Sequence, residues 1–134
     1  MSDRPEYLDL EDLLALARRI LGDPPPVRDI GLLASAVARP QASVFGQDAY
    51  PDIWTKASAL LQSIVSNHAL VDGNKRLGWL ATAVFLNLNG APVQRARNAD
   101  VYDLVIRVAG GEANVATIAA HLQQIIEEPQ SPVR

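Results

Sequence analysis

The sequence predicts an all-α fold: a bundle of about six helices interrupted by one short non-helical flap near residues 42–50. Three observations carry this reading. Apolar residues recur at three- and four-residue intervals in six segments. Aspartates and asparagines suited to helix N-caps stand at the starts of most of these segments, and glycines and prolines at their ends. Aromatic content is only 5% while alanine and leucine abound, a balance that favours helices over a β-sandwich or barrel.

Taken in order, Asp9 caps a first helix with Asp12 at its third position. Leu10, Leu13, Leu14, Ala17, Ile20 and Leu21 form its apolar stripe, and Gly22 with Pro24, Pro25 and Pro26 stops it. Asp29 caps a second helix with Leu32, Leu33, Ala36 and Val37 inward and Pro40 as its stop. Residues 41–50 lack a helical period. Val44 and Phe45 beside Gly46 read as a short hairpin or extended flap. Pro51 and Asp52 open a long third helix buried through Ile53, Ala57, Leu60, Leu61, Ile64 and Val65. The fourth runs from Asn74 to Asn89 with Leu77, Leu80, Ala81, Val84, Phe85 and Leu88 inward and Gly90 as its cap. After a polar connector, Asn98 caps a fifth helix that ends at Gly110 and Gly111. Asn114 caps a sixth that ends before Pro129.

The 134 residues amount to one domain, 1–134, with a core of about 6–127 and a loose tail at 129–134. With 49% hydrophobic and 20% charged residues, the composition is that of a globular domain able to bury a core. A net charge of −3 argues against direct binding of nucleic acid. The absence of cysteine excludes disulfides and thiolate metal sites. The first residues are acidic where a signal peptide needs a basic start and an apolar run. No run of 18 apolar residues is present, so no membrane span is expected and the cytoplasm is the default location.

The chemistry concentrates in His68–Arg76, between the third and fourth helices. His68 follows Leu61 and Ile64 at helical intervals, which places it on the apolar face near the end of its helix. There it serves either as a core histidine or as a general base. Asp72 is either a helix cap or a carboxylate that holds Mg²⁺ beside phosphate oxygens, and Gly73 supplies a tight turn. Lys75 and Arg76 fall in the first turn of the fourth helix, where the helix dipole disfavours cations by roughly 0.3–1 kcal/mol each. They form either a solvated charge pair or part of an anion site with the free N–H groups. Lys75 is one of only two lysines against ten arginines. Taken together, a base, a metal carboxylate, a glycine turn, a helix N-terminus and two cations within nine residues are the parts that phosphoryl or nucleotidyl transfer uses. The segment is not a GxxxxGKS phosphate loop, because neither Ser nor Thr follows the lysine.

The segment HALVDGNKR resembles the HxFx(D/E)GN(K/G)R signature of the Fic/Doc family, and most closely its Doc (death-on-curing) branch. Lys75 stands where Fic adenylyltransferases have a second glycine, and the chain is Doc-sized. Tyr7-Leu8, Arg28-Asp29 with Gly31-Leu32-Leu33, Ala38-Arg39-Pro40-Gln41, and Phe85-Leu86 with Asn89-Gly90 are similar to the Doc pattern. The likeness covers roughly residues 6–127.

The resemblance implies a helical fold with the motif between two central helices, and a toxin paired with a cognate antitoxin. It implies an ATP- and Mg²⁺-dependent kinase that phosphorylates a threonine of elongation factor Tu and so arrests translation. By position, His68 is the catalytic base and Asp72 the Mg²⁺ ligand. The Gly73 and Asn74 backbone, the Asn74 side chain, Lys75 and Arg76 hold phosphates. The flap, Val44 to Tyr50, aligns the target segment by strand addition. Antitoxins of this kind lay a helical segment into a groove of the toxin.

The chain departs from the pattern at Ala69, at Leu70 (usually Phe), and at Leu77-Gly78 (usually Thr/Ser-Ala). Leu70 keeps an apolar anchor for the loop. Gly78 admits a close backbone approach, placed here near the neighbours of Trp79. The competing readings are an AMP transferase, disfavoured by the long cation at Lys75, and an inactive binding module or co-repressor, disfavoured by the intact polar set. A ribonuclease is the weakest, since it needs a second acid–base group and His121 lies in another helix.

Overall fold

The computed structural model describes residues 4–128. Six helices follow one another: α1 (Leu10–Leu21), α2 (Ile30–Ala38), α3 (Ile53–Asn67), α4 (Asn74–Leu88), α5 (Asn98–Ala109) and α6 (Val115–Glu127). A single 3-10 turn at Arg39–Gln41 and a two-stranded hairpin, β1 (Ser43–Val44) and β2 (Gln47–Asp48), separate α2 from α3. The tail expected at 129–134 lies outside the described residues. No described helix is long and apolar enough to cross a membrane.

Caps set most of the starts. Asp9 and Asp12 exchange side-chain and backbone bonds at 2.8 and 2.9 Å, a closed capping box at the head of α1. Asp52 and Thr55 close another on α3. Asp29 and Asn114 accept from the third residues of α2 and α6. α5 differs from expectation: the N-cap position is Arg97, no side chain caps it, and Asn98 is already helical.

Helix α3 is the axis of the bundle. Nine of its fifteen residues are buried, and it packs against α2, α4, α5 and α6 at once. Leu60, Leu61 and Ile64 meet Leu13, Leu33, Leu77, Leu104 and Leu122 in one continuous core. Each fully buried aliphatic side chain of this kind contributes about 1.5–3 kcal/mol.

The inward face of α4 is rotated from the one its apolar spacing suggests. Leu88 is half exposed at 50%, and Leu80 and Val84 are only partly buried, whereas Gly78, Thr82 and Leu86 are buried. At about 100° per residue this is roughly a quarter turn. The reason lies in small residues rather than large ones. A Cβ at Gly78 would stand 2.7 Å from Val65 Cγ2, so α4 lies directly against α3 there, and the close neighbours come from α3 rather than from around Trp79. Thr82 donates its hydroxyl to the Gly78 carbonyl at 2.7 Å, which lets it face the core without an unpaired polar atom.

The flap is a true hairpin. Ser43 pairs with Asp48 and Val44 with Gln47, and the two connecting residues, Phe45 and Gly46, have φ of +52° and +78°. Positive φ at both connecting residues matches the twist of the flanking strands.

Replacing Gly78 with alanine is expected to destabilise the fold by about 1–3 kcal/mol, because the core has no room for the added methyl. In urea melts, the Gly78→Ala/Val65→Ala pair should fall short of additivity by about 0.5 kcal/mol or more. Additive effects would place the close contact elsewhere.

Candidate functional site

The loop between α3 and α4 is short and strongly determined. His68 does not continue the apolar face of α3. It lies one residue past the helix, in the left-handed region (φ +54°), and is exposed. This corrects the helical placement expected from Leu61 and Ile64. The reversal at His68 sends Ala69 and Leu70 into the core instead, where Leu70 is 0% exposed.

A buried peptide needs partners for its polar groups, and Leu70 has them on both sides. Its N–H donates to Asn74 Oδ1 at 3.1 Å, and Asn74 Nδ2 donates back to its carbonyl at 3.1 Å. Arg28 Nη2 donates to the same carbonyl at 3.2 Å. The α1–α2 connector pairs with this stretch as a short antiparallel bridge. Arg28 and Asp29 N–H donate to the Ala69 carbonyl, and Val71 N–H donates to the Pro26 carbonyl at 2.8 Å. Leu70 thus fills the anchoring role expected of an apolar residue at this position.

Gly73 then turns the chain into α4. Its φ is +90°, and a Cβ there would stand 2.6 Å from Leu21 Cδ2 of α1. Only glycine meets both conditions without strain. Gly73 occupies the N-cap position of α4, and no side chain caps the first turn. Asp72 is therefore not the helix cap. Its Oδ1 accepts from the Gly73 N–H at 2.9 Å, and its carboxylate is exposed. The first-turn N–H groups are left open toward solvent, and they carry the positive end of the helix dipole.

His68, Asp72, Gly73, Asn74, Lys75 and Arg76 all line one cleft of about 200 Å³, closed by Val65, Val71 and Ala109. All six residues singled out from the sequence are thus brought together. Among the described residues, neither the His68 ring nor the Lys75 ammonium makes a hydrogen bond. Arg76 Nη2 donates to the Ile20 carbonyl at 3.1 Å, tying the end of α1 to the start of α4. The Asn74 side chain is committed to Leu70, so in this structure it shapes the loop. His121 lies elsewhere, 3.4 Å from Arg107 Nη1, and His68 is the histidine of the cleft.

The Fic/DOC family model matches residues 7–86, from the entry of α1 to the last turn of α4. The chain belongs to the Fic/DOC family. The matched segment supplies every cleft residue except Ala109. The toxin Doc of Mycolicibacterium smegmatis (strain ATCC 700084 / mc(2)155) is 53% identical over 120 residues, which cover 87% of this chain and 91% of the relative.

In this family member three polar residues outside the motif brace the loop and the hairpin. Arg28 is one. The others hold the hairpin. Lys56, 2% exposed, donates to Asp48 Oδ2 at 3.2 Å and to the Tyr50 carbonyl, and lies over the Tyr7 ring. Arg39 donates to the Tyr50 hydroxyl at 2.9 Å and to Gln62 and Ser63 of α3. The sequence carried a signal for Lys56, a lone lysine inside an apolar helical stretch.

Asn74→Ala should leave the fold intact but speed amide exchange at Leu70 and Val71. The expected destabilisation is about 1–3 kcal/mol, the cost of orphaning buried backbone groups. Unchanged exchange at Leu70 would show that Asn74 does not hold the loop.

Proposed function

We propose that the protein is a Doc-type toxin that transfers the γ-phosphate of ATP to a threonine hydroxyl of elongation factor Tu, arresting translation. The observation that carries this reading is the cleft itself: an uncommitted histidine ring facing an uncapped helix N-terminus that bears Lys75 and Arg76. The similarity to a protein named toxin Doc supplies the toxin class.

In this reading the acceptor oxygen attacks the γ-phosphorus, the bond to the β–γ bridging oxygen breaks, and ADP leaves. His68 takes the hydroxyl proton as that bond forms. The N–H groups of Asn74, Lys75 and Arg76, with the Lys75 and Arg76 side chains, stabilise the charge that spreads over the phosphate oxygens. The residues fit a magnesium nucleotide. Asp72 offers an exposed carboxylate with one oxygen free of protein bonds, and Mg²⁺ is ordinarily held by one or two carboxylates plus phosphates and water. When bound, Mg²⁺ would supply neutralisation of phosphate charge. Lys75 favours γ-phosphoryl transfer over AMP transfer, since its chain fills space that a glycine would leave for a second phosphate.

The antitoxin has a candidate seat. An apolar groove of about 440 Å³ runs between α4 and α5 past Trp79, Leu80, Val101, Tyr102 and Ile106, and ends at Lys75 and Arg76. Tyr102 is 65% and Ile106 41% exposed, so the groove presents apolar surface to solvent. The groove suits an amphipathic helix with acidic residues at the end nearer the cations.

The test is incubation with purified elongation factor Tu and ATP labelled at either the α or the γ position. Transfer of γ label alone is expected, and His68→Ala should abolish it while the melting temperature holds. Transfer of α label would establish the AMP transferase instead. No transfer of either label, with elongation factor Tu that is active in translation, would shift the reading to a binding module. For the second surface, Tyr102→Asp should weaken the antitoxin complex by about tenfold or more, as loss of a buried aromatic anchor does. An unchanged affinity in titration calorimetry would place the antitoxin elsewhere.

A further inference from the structure

One wall of the cleft belongs to a turn with little of its own to hold it. Ala109, the last residue of α5, lines the cleft together with Val65 of α3. Gly110, Gly111 and Glu112 follow it and are exposed, and Gly111 has φ +77°. The Gly110 and Gly111 N–H groups donate back into α5, to the Ile106 and Val108 carbonyls. Glycine loses more conformational freedom on ordering than any other residue, so a turn of paired glycines gains most from an anchor outside it.

That anchor is Ala113. Its methyl joins the core, and its carbonyl accepts from Gln62 Nε2 of α3 at 3.3 Å. Gln62 is itself held in one orientation. Its Oε1 accepts from Arg39 Nη1 at 2.8 Å, and that nitrogen also donates to Ser63 Oγ at 3.0 Å. Arg39 Nε donates to the Tyr50 hydroxyl at 2.9 Å. An amide has one acceptor end and one donor end, so a guanidinium at Oε1 leaves Nε2 for Ala113. The bonds therefore run in one direction, from Arg39 to Gln62 to Ala113, and the last of them crosses from α3 to the turn. Gln62 stands three residues before Val65 on α3, and Ala113 four residues after Ala109. The link thus joins the two elements that carry Val65 and Ala109.

We propose that Gln62 is a positioning residue for the nucleotide cleft: by tying the α5–α6 turn to α3, it sets where the Ala109 wall stands relative to the first turn of α4. The inference rests on the transfer reading above and adds to it a residue that touches no ligand. A cleft of about 200 Å³ leaves little slack around a triphosphate, so a displaced wall changes the fit. Both Ala109 and Ala113 lie beyond residues 7–86, so the tie joins the matched segment to a part of the chain outside it.

The test compares Gln62→Glu and Gln62→Met in the full chain. Glutamate keeps an acceptor for Arg39 and loses the donor to Ala113; methionine keeps the length and loses both. Hydrogen exchange at Gly110 and Gly111 should quicken about tenfold or more in both variants. Affinity for ATP with Mg²⁺, read by titration calorimetry well below the melting temperatures, should fall about fivefold or more in both. A lower melting temperature with parental ATP affinity is what a merely structural role produces, and it overturns the inference. Unchanged exchange at Gly110 and Gly111 also overturns it. Should the parent protein bind no ATP, the transfer reading fails and the inference fails with it. A parent that binds ATP no better than either variant leaves the transfer reading standing and overturns the inference alone.

Discussion

The arrangement depends on one buried peptide, that of Leu70. Its side chain is fully inside the core, so its N–H and carbonyl must be satisfied there, and Asn74 and Arg28 satisfy them. Those bonds fix the path of the chain from the end of α3 to the start of α4. Given that path, His68 has to turn outward in the left-handed region and Gly73 has to turn inward against Leu21. The open end of α4 and the histidine ring then face the same small volume. The site is therefore a consequence of how the core accepts Leu70, and the His68 ring and the Lys75 ammonium remain exposed without a hydrogen bond among the described residues.

A second constraint works on the same scaffold. Burying Lys56 is unfavourable unless its ammonium is fully engaged, and the partners that engage it belong to the hairpin foot. Arg39 adds a second clamp from the 3-10 turn to α3. Both devices spend buried polar groups on fixing a segment beside the central helix. The loop that holds the candidate nucleotide site and the flap that holds the candidate target site are both referenced to α3, which ties their relative positions to one rigid element.

Much of this was legible in the sequence. Capping residues at Asp9, Asp29, Asp52 and Asn114 and the apolar periods marked the helices, because caps and stripes are local signals. Phe45-Gly46 marked the hairpin. The motif pointed to six of the nine residues that line the cleft. What the sequence could not display was non-local. The face of α4 was misread because Gly78 and Thr82 carry no hydrophobic weight, yet both are buried, Gly78 under the close approach of Val65. His68 was assigned to the apolar face because its spacing fits, yet the demand of Leu70 for burial ends the helix first. The roles of Arg28, bonded to Leu70, and of Arg39, bonded to Gln62 and Ser63, depend on partners far away in the chain, whereas Asn74 and Lys56 use near neighbours whose placement only the folded loop and hairpin reveal.

The proposed function requires the first turn of α4 to be a preformed phosphate site resting on a rigid loop. Amide resonances followed while ATP and Mg²⁺ are titrated into the intact protein test this directly. The account predicts saturable shifts centred on Gly73, Asn74, Lys75 and Arg76, with the Leu70 amide remaining slow to exchange throughout. Shifts centred on another surface, such as the α5–α6 cleft around Arg107 and His121, would contradict it.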